Sequence, residues 1–135
     1  MSKLTIYTDG GARGNPGPAG IGFIIYDEDG KILKKHKEFI GKATNNQAEY
    51  LSLVKALELA QTFSKEKIEC FLDSELVVNQ LKGQFKVKNS EIRDLIFKVR
   101  ILEPKYKSVD YQVIPREKNK EADELVNKAI DEALR

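Results

Sequence analysis

The apolar residues of this chain follow one period near its start and a mixture of two afterwards, and that change limits the folds open to it. "KLTIYTD" alternates apolar and polar residues as a strand does. "AGIGFIIYDEDGKILKKHKEFI" reads as two more strands around a turn at "DEDG", since Asp-Gly is a strong hairpin signal. The glycine-rich "GGARGNPGP" is expected to be the turn that joins the first strand to this hairpin. From Thr44 onward helices alternate with strands. Thr44 and Gln47 match a capping box, and Leu53, Ala56, Leu57 and Ala60 follow at helical spacing. "KIECFLD" is a short apolar strand, and "SELVVNQLKG" a short helix ended by Gly83. Asn89 is placed to cap a helix through "SEIRDLIFKVRIL", with Pro104 beyond it. "SVDYQVI" is a strand, and Asn119 is expected to cap a last helix with its stripe at Ala122, Leu125, Val126, Ala129, Ile130 and Ala133.

The order β-β-β-α-β-α-α-β-α implies an α/β domain. Three antiparallel meander strands are followed by two parallel ones in a five-stranded mixed sheet, with helices on its faces. A chain of 135 residues is expected to be one domain, residues 1–135. No apolar run approaches the ~20 residues of a membrane span. One cysteine, Cys70, allows no intrachain disulfide, which fits a reducing compartment, so a cytoplasmic protein is expected. A monomer is the default for such a domain. The 23 basic and 21 acidic residues leave a net charge of only +2, so any polyanion binding must come from local clustering.

Four carboxylates stand where a merely solvated charge is less expected. Asp9 ends the first strand and Asp73 the fourth. Glu49 lies four residues before Leu53, on the apolar stripe of the first long helix. Asp123 lies three before Val126, beside the stripe of the last. Each has an ordinary explanation: a turn residue for Asp9, an N-cap for Asp73, and helix-dipole complementation for Glu49 and Asp123. Spacing alone does not bring the four together. If they converge, they repel one another unless divalent cations sit among them, and hard cations such as Mg²⁺ suit such oxygen ligands.

The blocks "YTDGGARGNPGPAGIGF", "TNNQAEYLSLVKALELA", "FLDSELVVNQLKG" and "NKEADELVNKA" together resemble ribonuclease H of type 1, in order and across essentially the whole chain. The resemblance implies the ribonuclease H-like fold and endonucleolytic hydrolysis of the RNA strand of RNA–DNA hybrids, leaving 5′-phosphate and 3′-hydroxyl ends. It implies Asp9, Glu49, Asp73 and Asp123 as catalytic ligands of two Mg²⁺ ions, for which Mn²⁺ can substitute. Asp9 would bridge the ions. Asp123 would help hold the one that activates water, and Glu49 and Asp73 the one at the leaving oxygen. Two ions ~4 Å apart serve both ends of an in-line displacement.

The resemblance also implies substrate contacts. Gly10 and Gly11 would let backbone approach the hybrid. Asn15, Asn45 and Asn46 would read its minor groove and sugars, where the 2′-hydroxyl marks RNA. Thr44 and Asn89 match a pocket for a DNA-strand phosphate, and both are also the inferred caps, which is compatible because helix N-termini bind phosphates. Lys82, Phe85, Lys86 and Lys88 form a candidate DNA-strand groove; the alternative is an ordinary solvated linker.

Two features depart from many members. No Trp- and Lys-rich handle separates the two middle helices, and the chain has no tryptophan. No histidine stands on the loop before Asp123, where Arg116, Glu117 and Lys118 are the candidates for a part in product release. The only histidine, His36, is expected on the third strand. Without the handle, weaker hybrid binding is one expectation. Another is broader substrate use, including RNA–DNA junctions or double-stranded RNA. A non-cleaving hybrid-binding module and a phosphate-cradling loop enzyme are the rival readings. The loop lacks the Gly-Lys-Ser/Thr ending of a P-loop and leads into a strand, which disfavours the last.

Overall fold

A computed structural model of the chain describes residues 3–84 and 86–135. Phe85, one of the candidate groove residues, lies outside them. The described residues form a five-stranded sheet in the order β3-β2-β1-β4-β5. β1 (Leu4–Ala12), β2 (Gly17–Tyr26) and β3 (Ile32–Ala43) run antiparallel, while β4 (Lys67–Leu72) and β5 (Ser108–Val113) run parallel to β1. The expected architecture is the observed one. No helix among the described residues is long and apolar enough to cross a membrane.

The first expectation to be corrected concerns the glycines. Gly10 and Gly11 are not in a turn. They continue β1, opposite Ile21 and Gly20 of β2, and the turn proper is confined to residues 13–16, closed by Arg13 N donating to Pro18 O at 2.8 Å. The reason is packing on both faces of the central strand. A Cβ on Gly10 would lie 2.3 Å from the carbonyl carbon and oxygen of Ala48, in α1 (Asn45–Ala60). A Cβ on Gly11 would instead approach Val126, in α4 (Lys120–Ala133). Successive strand residues face opposite sides, so α1 and α4 cover opposite faces of the sheet. α1 presses hardest, directly above the residue after Asp9.

α1 begins at the capping box read from the sequence. Thr44 Oγ1 accepts from Gln47 N at 3.1 Å, and Thr44 N donates to Gln47 Oε1 at 2.8 Å. A buried polar relay then fixes the helix against the sheet: Thr8 Oγ1 donates to Ser52 Oγ at 2.8 Å, and Ser52 Oγ donates to Gly22 O at 3.1 Å. Buried hydroxyls of this kind are tolerated because each finds a partner. α3 (Ser90–Leu102) packs beside α1 and starts at Asn89, whose Oδ1 accepts from Ile92 N at 3.0 Å. α2 (Glu75–Leu81) is capped by Ser74 rather than by Asp73, which leaves the Asp73 carboxylate for other contacts. Tyr50, Leu53, Leu57, Ile68, Leu72 and Val99 are among the core residues on this side of the sheet.

The last helix departs from expectation at both ends. Ala133 is exposed, so the apolar stripe stops at Ile130. Asn119 occupies the N-cap position but its side chain caps nothing. His36 is a half-buried residue of β3, as expected, stacked on Phe23 at 4.9 Å and 2.9 Å from Glu38.

The two neighbouring glycines give a sharp contrast. Gly10→Ala drives a Cβ into helix backbone that has no side chain to move aside, and is expected to cost about 3 kcal/mol or more, at or beyond the upper end of overpacking effects. Gly11→Ala meets only a side-chain methyl at 3.6 Å and is expected to stay within about 1 kcal/mol of the unsubstituted chain. Urea denaturation of the two variants checks the order, which equal losses would contradict.

Candidate active site

Three of the four singled-out carboxylates meet. Asp9 lies within β1, three residues before its end and not at it as expected, because Gly10 to Ala12 stay paired with β2. It, Glu49 in the first turns of α1 and Asp73 just after β4 each offer an oxygen, and these oxygens all lie within 4.8 Å of one another. Asp123, in the first turns of α4, lines the same cleft from the other face of the sheet. The cleft holds about 410 Å³ and includes Gly10, Asn45, Asn46 and Arg116 in its lining. It opens at the carboxyl ends of β1 and β4, where ligands of open α/β sheets bind.

The close approach of α1 explains how a helix residue reaches the strand. With no side chain at Gly10, Glu49 lies over the strand's peptide, and Gly10 N donates to Glu49 Oε1 at 2.6 Å. Its other oxygen, Oε2, is buried with no hydrogen-bond partner. Asp9 and Glu49 are each only 6% exposed. Burial, with the charges of Asp73 and Asp123 added, pushes Asp9 up to about 7, against the pull of its hydrogen bonds with Glu49 and Gly10. Glu49 is likewise pushed well above the usual carboxylate range, by burial first and then by facing Asp9. Two buried acceptors facing each other need a proton or a cation between them. The orphaned Glu49 Oε2 and the all-oxygen donor set fit a hard divalent cation.

The asparagines stand around this cleft in a linked set. Asn15 Oδ1 accepts from Asn45 N at 3.0 Å, and Asn45 Oδ1 accepts from Ala12 N at 2.8 Å. The β1–β2 turn is thereby fastened to the start of α1. A second cavity lies next to the first and is lined by Asn15, Thr44, Asn45, Asn46, Lys86, Lys88 and Asn89. The inferred minor-groove residues and the inferred phosphate pocket are therefore contiguous, with Asn45 and Asn46 shared between them.

Three candidates fall elsewhere. Lys82 is separated from Lys86 and Lys88. It lines a cavity with Glu69, Arg100 and Tyr111 on the β5 side, because Gly83 at φ +75° turns the chain just after it. Glu117 and Lys118 also point away from the acidic cleft and line a different cavity with Tyr7 and Tyr26, which leaves Arg116 alone of that trio beside the carboxylates.

Sequence reasoning missed two contributors. Arg13 lines the cleft while paired with Asp131 at 2.6 Å, and its only sequence signal was a lone cation in a glycine-rich turn. Asn119, read as a cap, donates through Nδ2 to Thr8 O at 3.0 Å and to Asp73 Oδ2 at 2.9 Å.

Known proteins are similar to this chain in sequence and fold. A family model described as reverse transcriptase-like covers residues 7–129. LC11-RNase H1, solved in complex with an RNA/DNA hybrid, has a TM-score of 0.93 and 47% identity, over 98% of this chain and 99% of that one. Ribonuclease HI of Halobacterium salinarum is 41% identical over 131 residues, 97% of this chain and 66% of its own length. A bifunctional protein of Mycobacterium tuberculosis is 39% identical over 132 residues, 97% of this chain but only 36% of its own. The chain spans about a third of the length of the mycobacterial relatives it matches. Sheet order and acidic cleft together define a ribonuclease H-like domain. Within that class, the chain belongs to the type 1 ribonuclease H family.

The raised Asp9 sets a direction for stability against pH. Unfolded, Asp9 ionises near 3.8; folded, near 7. Between those values the folded state binds more protons than the unfolded one, so stability falls as pH rises. In EDTA, the unfolding free energy from urea titrations is expected to drop between about pH 4 and about pH 7, by an amount on the order of a few kcal/mol. Asp9→Asn should flatten that drop. A profile equally steep in the variant would assign the pH dependence to other groups.

Proposed function

We propose that this domain is a metal-dependent endoribonuclease that hydrolyses the RNA strand of RNA–DNA hybrids, leaving 5′-phosphate and 3′-hydroxyl ends. The observation that carries the reading is the triad of carboxylate oxygens within 4.8 Å of one another, in which Glu49 Oε2 is buried and without a donor. The proposed ligands are Asp9, Glu49 and Asp73, completed by Asp123 from across the cleft, and the proposed ions are two Mg²⁺, for which Mn²⁺ can substitute. Such an ion, when bound, lowers the pKa of a water and stabilises the charge of the leaving oxygen. The similarity to LC11-RNase H1, solved with a hybrid, supports the substrate.

The chain's own groups divide the remaining work. Burial of Asp9 and Glu49 keeps bulk solvent from screening the cleft, so a cation is held more strongly there than in water. The carbonyl oxygens of Asn15 and Asn45 are already engaged by protein N–H groups. Their amide NH₂ groups are thus presented as donors, suited to a 2′-hydroxyl or a base-edge acceptor. Arg116 sets a fixed positive charge beside the carboxylates, suited to a backbone phosphate. Next door, Thr44 and Asn89 lie together with Lys86 and Lys88, a combination suited to a phosphate of the DNA strand.

A labelled RNA–DNA hybrid should be cut with Mg²⁺ or Mn²⁺ and left intact in EDTA. Asp9→Asn and Asp73→Asn should each lower kcat on the order of 10³-fold, since each removes a ligand. The absence of cleavage with either metal would overturn the reading, and so would full activity in both variants.

A further inference from the structure

Asn119 is a buried polar residue beside the cleft that the proposed chemistry does not use. It is 1% exposed and stands between a short 3₁₀ turn (Arg116–Lys118) and α4. At an N-cap an asparagine ordinarily accepts from a backbone N–H of the first turn, and this one does not. Its bonds lead instead to three carboxylate-bearing segments. Nδ2 donates to Thr8 O, one residue before Asp9, and to the Asp73 carboxylate. Its backbone carbonyl accepts from Asp123 N at 3.1 Å. Meanwhile Oδ1 is buried with no partner. The amide orientation follows from these contacts, because turning it over would set Oδ1 against two other acceptors.

We propose that Asn119 is a positioning residue of the cation site: it holds the Asp73 carboxylate, through one N–H, in the orientation that offers an oxygen toward Asp9 and Glu49, and ties that orientation to β1 and the start of α4. Outer partners of a ligating carboxylate set both its direction and its basicity. The inference rests on the nuclease reading above, because it concerns how the same cluster holds its ion.

The test is Mn²⁺ affinity, measured by calorimetry on the full chain without nucleic acid, alongside the Mn²⁺ concentration giving half-maximal cleavage of a hybrid. Asn119→Ala is expected to weaken both about 10- to 100-fold, with cleavage largely restored at saturating Mn²⁺. Urea denaturation in EDTA confirms that the variant is folded. A purely structural residue would change that denaturation and leave the affinity of the folded protein alone. If Asn119→Ala does not fold, Asn119→Ser carries the same expectation, because its hydroxyl is too short to reach both Thr8 and Asp73. A folded variant that binds Mn²⁺ as tightly as the unsubstituted chain overturns the inference and leaves the nuclease reading standing. An unsubstituted chain that neither binds Mn²⁺ nor cleaves overturns both.

Discussion

Mutual repulsion among buried carboxylates is the constraint around which this domain is arranged. Oxygens of Asp9, Glu49 and Asp73 share a space less than 5 Å across, and two of these residues are almost wholly out of water. Left to itself such a group would spread apart or take up protons. It persists because each carboxylate is carried by a different rigid element: β1, α1 and β4. The elements are locked by contacts that have nothing to do with charge, namely the Gly10–Ala48 approach, the Thr8–Ser52–Gly22 relay and the parallel pairing of β1 with β4. Packing against close neighbours stores the electrostatic strain at one place, and a cation can then release it.

That division of labour also explains the glycines. In β1 they are read most naturally as a loop, because nothing local distinguishes a glycine that bends the chain from one that makes room for a helix. Only the neighbour decides, and the neighbour of Gly10 is Ala48, far along the chain. The same limit applies to Asn119. An asparagine four residues before an acid, at the start of an apolar stripe, has every local mark of a cap. Its bonds to Thr8 and Asp73 exist only once the sheet is assembled.

Much else was legible. The strand and helix order followed from periodicity, and the caps Thr44 and Asn89 from residue chemistry that acts over three residues. The carboxylates drew notice because two sat on apolar helix faces and two at strand ends. Their convergence came from the resemblance rather than from spacing, and the structure brings three of them within ligand distance while Asp123 lines the wall of the cleft. The short basic run between α2 and α3 was the least legible part. Lys82 and Lys86 are close in sequence, yet a left-handed glycine between them sends the two to different cavities.

The bond from Asn119 to Thr8 spans 111 residues. Closing so long a loop is entropically expensive until the intervening sheet and helices are already in place. Contacts this non-local slow folding, because the loop-closure cost comes before they contribute. A chain emerging from synthesis, or one opened by heat or a protease nick, therefore carries its acidic residues scattered and chemically idle. The cleft is thus a property of the assembled domain, since its carboxylates, far apart in sequence, come together only when the sheet and helices do.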